Sequence, residues 1–319
     1  MQEFDLIRRY FSKLSFKNKG AFYLNDDVFF DKKRELVISI DTYNEGIHFL
    51  NFKNPKLVIK KIIRSSISDL ICKGVKPKFY FISGSGNSNH FSKKNLSKIS
   101  SSLSEEQKKY NIFLSGGDTT FSKKMSFSIT VIGYSKNIIL RNKAKNNDDI
   151  YVTGNLGDSY IGLQILKKKI KIKKKYHNYF IDKYYKPEIQ IDLCDELLKF
   201  SNSSIDISDG LISDLEKLIN KQKLNYRLYL DSIPISKNLR SLSKNIRIPK
   251  LEMVSKGDDY QILFTAGLNK ARIIKKISKN LGIKITKIGK IIPNSKKSLI
   301  TDKKGNNLRT KYKGYTHQF

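Results

Sequence analysis

The chain has 319 residues, with 62 Lys+Arg against 29 Asp+Glu and a formal net charge of +33. That length suits two domains or one large one, and a 39% hydrophobic content suffices for ordinary buried cores. No apolar run is long enough to span a bilayer, the first ten residues hold no apolar signal region, and the two cysteines, Cys72 and Cys194, make no metal or disulfide framework. The expectation is a soluble, cytoplasmic protein of a reducing compartment. A strong positive charge raises nucleic-acid binding. Here, however, Lys is spread along nearly the whole chain beside abundant Ile, Asn, Ser, Tyr and Phe, a combination that AT-rich codons produce. Neither a specific nucleic-acid partner nor a membrane is expected. The densest run, Lys167 to Lys175, reads as a solvated helix end or loop.

In chain order, Phe4, Leu6-Ile7 and Tyr10-Phe11 fall at helical spacing and predict a short amphipathic helix. Leu36 to Asp41 predicts a strand that ends at an aspartate. Pro55 to Lys73 predicts a helix with Leu57, Val58, Ile62, Ile63, Ile67, Leu70 and Ile71 on a buried face and Gly74 as its stop. Strands are expected at 79–82, 112–114 and 126–133, with a helix over 92–110. After a break near Ser135–Asn137, a strand at 149–153 turns through Gly154-Asn155-Leu156-Gly157 into a helix over 159–168. The remainder predicts helices at 188–200, 210–220 and 269–281 and strands at 226–230, 261–265 and 284–290. Ser83-Gly84-Ser85-Gly86 reads as a flexible loop.

Acidic residues are scarce, and several sit in short polar segments: Asn25-Asp26-Asp27, Ser39-Ile40-Asp41-Thr42, Ser68-Asp69-Leu70, Gly116-Gly117-Asp118-Thr119-Thr120 and Asp206-Ile207-Ser208-Asp209-Gly210-Leu211. Any one of these aspartates alone is best read as a cap or turn residue. Their joint occurrence favours carboxylates gathered from distant segments around hard cations such as Mg2+, and hence phosphate chemistry. Gly116-Gly117 suits either a tight turn or a close approach of main-chain N–H groups to a phosphate. The chain has neither the G-x-x-x-x-G-K-[ST] loop nor the H-R-D and D-F-G pair of protein kinases, so an ATP site must be built differently. His48 follows Asp41 by seven residues, and no Ser/His/Asp or Cys/His pattern supports covalent catalysis.

The ordered set of segments resembles the thiamine-monophosphate kinases, a family within the aminoimidazole-ribonucleotide-synthetase-like ATP-binding superfamily. The resemblance covers almost the whole chain. It runs from Glu3-Phe4-Asp5-Leu6-Ile7 and Asp26-Asp27 through Asp41-Thr42 and Glu45-Gly46-Ile47-His48-Phe49 to Ser68-Asp69-Leu70 and Gly116 to Thr120. It continues with Arg141, Ala144-Lys145, Asp206 to Leu211, Gly257-Asp258-Asp259-Tyr260 and Gly314-Tyr315-Thr316-His317. It implies ATP-dependent phosphorylation of thiamine monophosphate to thiamine diphosphate, by direct in-line transfer assisted by several Mg2+ ions. Asp26, Ser39, Ile40, Asp41, Asp69, Asp118, Asp206 and Asp209 would form the magnesium shell. Gly117, Asp118, Arg141 and Ser208 would contact the nucleotide, and His48, Asp258 and Tyr315 the thiamine phosphate. No general base or covalent nucleophile is implied.

The resemblance also implies an α/β (α+β) two-domain fold of mixed sheets packed with helices. An N-terminal ATP- and Mg-binding dimerisation domain would span 1–136 and a C-terminal α+β domain 137–319, with a homodimer formed through the N-terminal domains. The chain departs from the family pattern at three points. Asn25 stands where Gly is usual, Ile40 replaces a hydroxyl residue and offers a metal only its backbone, and Lys256-Gly257-Asp258-Asp259 replaces Gly-Gly-Glu-Asp. Thr316-His317-Gln318-Phe319 is slightly altered as well. Rival readings are another ATP-dependent member of the superfamily, such as aminoimidazole ribonucleotide synthetase, selenophosphate synthetase or the hydrogenase-maturation dehydratase, and a basic RNA-binding protein. The first cysteine is Cys72, not one near the N-terminus, and the last residue is Phe319, not a cysteine. Both facts favour the kinase over the synthetase that uses an N-terminal Cys and the dehydratase that ends in one.

Overall fold

The computed structural model describes residues 2–243, 246, 248–310 and 312–317, so Gln318 and Phe319 lie outside the described residues. It opens with α1 (Glu3–Leu6), continued by short helical turns as far as Ser15. The predicted helix over 4–11 is therefore present in broken form. A first mixed sheet follows from β1 (Phe29–Asp31), β2 (Leu36–Asn44), β3 (Pro77–Gly86), β4 (Phe113–Phe121) and β5 (Ser126–Tyr134), in the order β1-β2-β5-β3-β4. Only β3 and β4 run parallel. Helices α2 (Pro55–Cys72) and α3 (Lys93–Tyr110) connect these strands.

The second half contains β6 (Asp149–Thr153), α4 (Asp158–Leu166), α5 (Lys174–Tyr185), α6 (Cys194–Leu197), β7 (Ser203–Asp206), α7 (Leu211–Leu218) and β8 (Leu224–Tyr229). It ends with α8 (Lys237–Leu242), α9 (Lys250–Val254), β9 (Ile262–Ala266), α10 (Ala271–Leu281), β10 (Ile285–Pro293), β11 (Leu299–Thr301) and β12 (Asn307–Leu308). Its sheet is ordered β12-β11-β8-β10-β6-β9-β7 and is mixed through the parallel β11–β8 pair. This is the expected α/β architecture of mixed sheets packed with helices. Among the described residues no helix is long and apolar enough to cross a membrane.

Helix α2 organises the molecule. Pro55 occupies its first turn, where a missing N–H costs nothing. At the other end Gly74, at φ +76°, donates its N–H to the Ile71 carbonyl while Val75 donates to Leu70, the paired bonds of a Schellman stop. Between these ends the helix is buried on nearly every side, because the first sheet covers one flank and β7 lies against another. Even its charged residues Lys61, Arg64 and Lys73 are buried, and each has a carboxylate partner. Arg64 forms a two-pronged pair with Glu106 of α3, at 2.7 and 3.0 Å.

Several expectations need correction. Ser83-Gly84-Ser85-Gly86 is the end of β3, held between β4 and β5 along its length. Pairing on both edges overrides the poor strand propensity of Gly and Ser, and Phe91 and Phe127 fill the space over Gly84. Gly116-Gly117-Asp118 lies within β4 and is not a turn. A Cβ on Gly117 would stand 1.9 Å from the Ile82 carbonyl oxygen, so close strand approach explains that glycine. The helix expected over 188–200 shrinks to a 3-10 turn at Ile191–Leu193 and α6. The lysine run agrees with its reading as solvated helix ends and loop: its lysines are exposed from the end of α4 to the first turn of α5, whose Phe180, Tyr184 and Tyr185 are buried.

Candidate active site

A cavity of about 900 Å³ lies between the two sheets, and the chain reaches it from both halves. The turn before β1 contributes Asp26 and Asp27, β2 contributes Ser39, Ile40 and Asp41, and α2 contributes Asp69. Arg141 enters from the connection between sheets. The end of β7 and the turn after it contribute Asp206, Ser208 and Asp209. His48, Asp258 and Tyr315 line the same space. Twelve of the fourteen residues expected at the site thus face one cavity. Gly117 and Asp118 do not: they lie on β4, the exposed edge of the first sheet, whose residues are all solvent-accessible.

Strand periodicity explains the β2 contribution. Ser39 and Asp41 are two residues apart and share a face, whereas Ile40 turns its side chain to the other face and is 69% exposed. Ile38, Ile40 and Thr42 of that other face also border the cavity, and a metal ion could take from Ile40 only its main-chain carbonyl. Ser39 is buried, and its hydroxyl has no hydrogen-bond partner among the described residues. Asp41 accepts a 3.0 Å hydrogen bond from the Tyr43 hydroxyl, which also bonds Ser66. Ser68, on α2, donates to Asp206 at 2.6 Å.

The carboxylates fall into two electrostatic groups. Asp26 and Asp27 are neutralised: the Lys73 ammonium lies 2.8 Å from Asp26 and 2.7 Å from Asp27, and Arg141 pairs with Asp27 while its backbone N–H donates to Asp26. Desolvation, the largest single influence, works against the Lys73 charge, but the charge and hydrogen bond of Asp26 together with the nearby Cys72 and Asp69 outweigh it and raise that pKa. Asp41, Asp69 and Asp206 have no ion-pair partner among the described residues. Desolvation pushes Asp41 and Asp206 up to about 6, and Asp69 rises well above the usual carboxylate range through desolvation and the charges of Asp41 and Asp206. Asp209 is paired with Lys217, which also bonds Asp214.

These are hard oxygen donors, the set that suits Mg2+. Among the described residues no three His, Cys, Asp or Glu side chains stand close enough to enclose a metal ion on their own. A closed protein cage is therefore not present. The donor set fits Mg2+ nonetheless, because that ion keeps several waters and is commonly held by one or two carboxylates plus substrate phosphates. The orphaned Ser39 hydroxyl and the three uncompensated carboxylates supply donors of this kind.

Beside these carboxylates the cavity is lined by aromatic rings. His48 lies 5.7 Å from Tyr43 and 5.4 Å from His317, ring to ring, and Tyr315 meets His317 edge-on at 5.0 Å. Desolvation, the His317 ring and the Lys61 charge lower the His48 pKa to about 4, so its ring is neutral near pH 7. Its Nδ1 accepts the Asn44 N–H at 3.0 Å, which puts the ring proton on Nε2 as a donor. Asp258 adopts φ +63°, a left-handed conformation that Asp tolerates better than most residues. Lys61 at 2.5 Å and the Tyr260 hydroxyl at 3.3 Å both hold its Oδ1.

Sequence reasoning missed Lys61, Lys73, Lys217 and Tyr43. The only available signal was spacing: Lys73 follows Asp69 by one helical turn, and Lys217 follows Asp214 within another. Lys256 was noted only as a departure. It lines the cavity with its ammonium 3.3 Å from the Tyr312 ring centre.

Comparison with known proteins gives this geometry a family. Residues 23–135 match the family model described as AIR synthase related protein, N-terminal domain. A thiamine-monophosphate kinase of Buchnera aphidicola subsp. Schizaphis graminum (strain Sg) is 35% identical, with 99% of this chain and 98% of that protein covered. Its counterpart from Buchnera aphidicola subsp. Acyrthosiphon pisum (strain APS) is also 35% identical, over 96% of this chain and 98% of that one. Among solved structures, AaThiL complexed with AMPPCP and TMP superposes with a TM-score of 0.85 at 25% identity, covering 99% of this chain and 97% of that one. The order of motifs, the shared architecture and full-length similarity above 30% agree, and the chain belongs to the thiamine-monophosphate kinase family.

Proposed function

We propose that this protein transfers the γ-phosphoryl group of ATP to thiamine monophosphate, forming thiamine diphosphate and ADP. The observation that carries the reading is one cavity lined both by carboxylates from the two halves of the chain and by His48, Asp258 and Tyr315, with the Tyr315 N–H bonded to the Asp209 carbonyl and the Asp258 N–H to the Ser208 carbonyl. Family membership supports the same reaction, and a structural relative complexed with AMPPCP and TMP supports ATP and thiamine monophosphate as the ligand pair.

The acceptor is itself a phosphate, whose second pKa is about 6. It is largely ionised near neutral pH and needs no base to become nucleophilic. The chemical problem is to hold two anions in line against repulsion. Arg141 stands at the cavity wall with its guanidinium anchored to Asp27, placed to meet phosphate oxygens. Gly117, Asp118 and Ser208 are the further nucleotide contacts on this reading. Neutral His48 offers an N–H from Nε2, and Asp258 keeps Oδ2 free to accept from the thiamine moiety because Lys61 and Tyr260 take Oδ1. Tyr315 closes the aromatic wall.

Mg2+ held by Asp26, Ser39, the Ile40 main chain, Asp41, Asp69, Asp118, Asp206 and Asp209 would neutralise the phosphates and the developing transition-state charge. The orphaned Ser39 hydroxyl and the raised pKa values of Asp41, Asp69 and Asp206 support it.

We read residues 1–136 as the ATP-binding and dimerisation domain, 137–319 as the second domain, and the protein as a cytosolic homodimer. Exposed apolar side chains on the edge strand β4 and its neighbour β3 support the dimer: Phe113, Leu114 and Phe121 of β4 and Phe81 of β3 all face solvent. Asp118 and Gly117 on the same edge would then meet the cavity of a second copy. The reaction is tested by incubating the protein with Mg-ATP and thiamine monophosphate; thiamine diphosphate and ADP should form one for one. ATP turnover with no thiamine diphosphate would favour another enzyme of the superfamily.

A further inference from the structure

The charge balance of the cavity is uneven, and the cause is a side chain that the reaction scheme does not use. Lys73 is wholly buried at the end of α2. Its three ammonium protons have three partners: Asp26 at 2.8 Å, Asp27 at 2.7 Å and the Ser204 carbonyl at 3.0 Å. With Arg141 on the other side of Asp27, two cations face two carboxylates, all almost inaccessible to water. Both oxygens of Asp26 are already engaged, Oδ1 by Lys73 and the Asp27 N–H, Oδ2 by the Arg141 N–H. Across the same cavity Asp41, Asp69 and Asp206 form no ion pair among the described residues; the charges of Lys73 and Lys217 reach Asp69 and Asp206 only without contact.

We propose that Lys73 is a positioning residue that acts as a resident counter-cation. Without nucleotide it takes the place beside Asp26 and Asp27 that a divalent ion would otherwise occupy, so metal demand falls first on Asp41, Asp69 and Asp206, and Asp26 joins the magnesium shell only when substrate phosphates bring an ion to it. The physical case is one of compensation. A buried carboxylate pair with one guanidinium carries an uncompensated negative charge, and such a charge draws a cation or a proton. Lys73 supplies that charge from within the fold, with its stem packed along α2, and leaves Asp26 fixed before any substrate arrives. The inference rests on the magnesium-dependent reading of the cavity.

The test counts ions on the full chain without nucleotide, by titration with MnCl2 followed through the electron paramagnetic resonance of free Mn2+. Compared are the wild type, Lys73→Met, Lys73→Arg and the double variant Lys73→Met/Asp27→Asn. The expected result is one more bound ion in Lys73→Met, with affinity about tenfold above the weakest wild-type site. Lys73→Arg and the double variant, in which cationic and anionic charges again balance, should keep the wild-type count. An unchanged count in folded Lys73→Met overturns the role of Lys73 while leaving the magnesium reading intact. No Mn2+ binding to the wild type would instead remove the reading on which it rests. Should Lys73→Met not fold in metal-free buffer, refolding from urea decides: recovery with millimolar MnCl2 supports the inference, and equal failure with and without the ion overturns it.

Discussion

The hydroxyl of Ser68 donates a 2.6 Å hydrogen bond to Asp206, a residue 138 positions later in the chain. The bond joins helix α2, which supports the first sheet, to the end of strand β7 in the second. It fixes the distance between carboxylates contributed by the two halves of the molecule. Replacing Ser68 with Ala leaves a buried carboxylate short of its donor and should cost about 1–3 kcal/mol of stability. Urea unfolding checks that figure. Turnover should fall more than stability accounts for, measured well below the unfolding transition.

The carboxylate variants separate function from folding. Asp69→Asn removes a charge that the folded state holds at a cost, so its thermal midpoint should equal or exceed that of the wild type. Its turnover should drop by about a thousandfold or more, as expected when a metal-binding and phosphate-aligning carboxylate is lost. Asp118→Asn, on an exposed strand, should lose activity equally with no change in midpoint. Near-wild-type rates in either variant would contradict the assigned metal roles.

The pH dependence of stability has a definite sign. Asp41 and Asp206 titrate near 6 in the folded protein, above their ordinary value of 3.8. Between those values the folded state binds more protons than the unfolded one, so stability falls as pH rises through about 6. His48, lowered from 6.5 to about 4, pulls the opposite way over much of this range. The metal-free protein should therefore lose stability between pH of about 4 and 6, and His48→Gln should steepen the loss. Millimolar MgCl2 should abolish it. Thermal melts after EDTA treatment measure all three; stability that climbs across this range without metal would contradict the assignment.

Leu114 is 46% exposed on an edge strand beside Asp118. Leu114→Asp should shift sedimentation from dimer to monomer, because a charge at the centre of an apolar interface is left unpaired. Activity should be lost with it. A variant that stays dimeric and active would place the interface elsewhere.

Asp258→Ala tests the acceptor end. The Michaelis constant for thiamine monophosphate should rise about tenfold, with a smaller effect on that for ATP. Steady-state kinetics with each substrate varied in turn gives both values.

Much of this was legible in the sequence because the signals were periodic. The apolar spacing of 55–73 and the alternation in 126–133 gave α2 and β5 nearly to the residue. The aspartates stood out against a basic background, and twelve of the fourteen expected residues meet in one cavity. What escaped was set by partners distant in the chain. Ser83 to Gly86 is strand only because β4 and β5 flank it. Lys61 and Lys73 drew no reading, since nothing local tells a lysine that Asp258 or Asp26 will stand beside it. The position of Gly117 and Asp118 on an outer strand depends on strand order, which a single sequence does not encode locally.

The most direct test of the account is a single turnover with ATP labelled in its γ-phosphate, excess enzyme, Mg2+ and thiamine monophosphate, quenched in acid at successive times. The label should pass from ATP to thiamine diphosphate at one rate, with no labelled protein at any time and little free phosphate. Label accumulating on the protein, or released as inorganic phosphate while thiamine monophosphate remains unchanged, would contradict direct transfer between the two substrates.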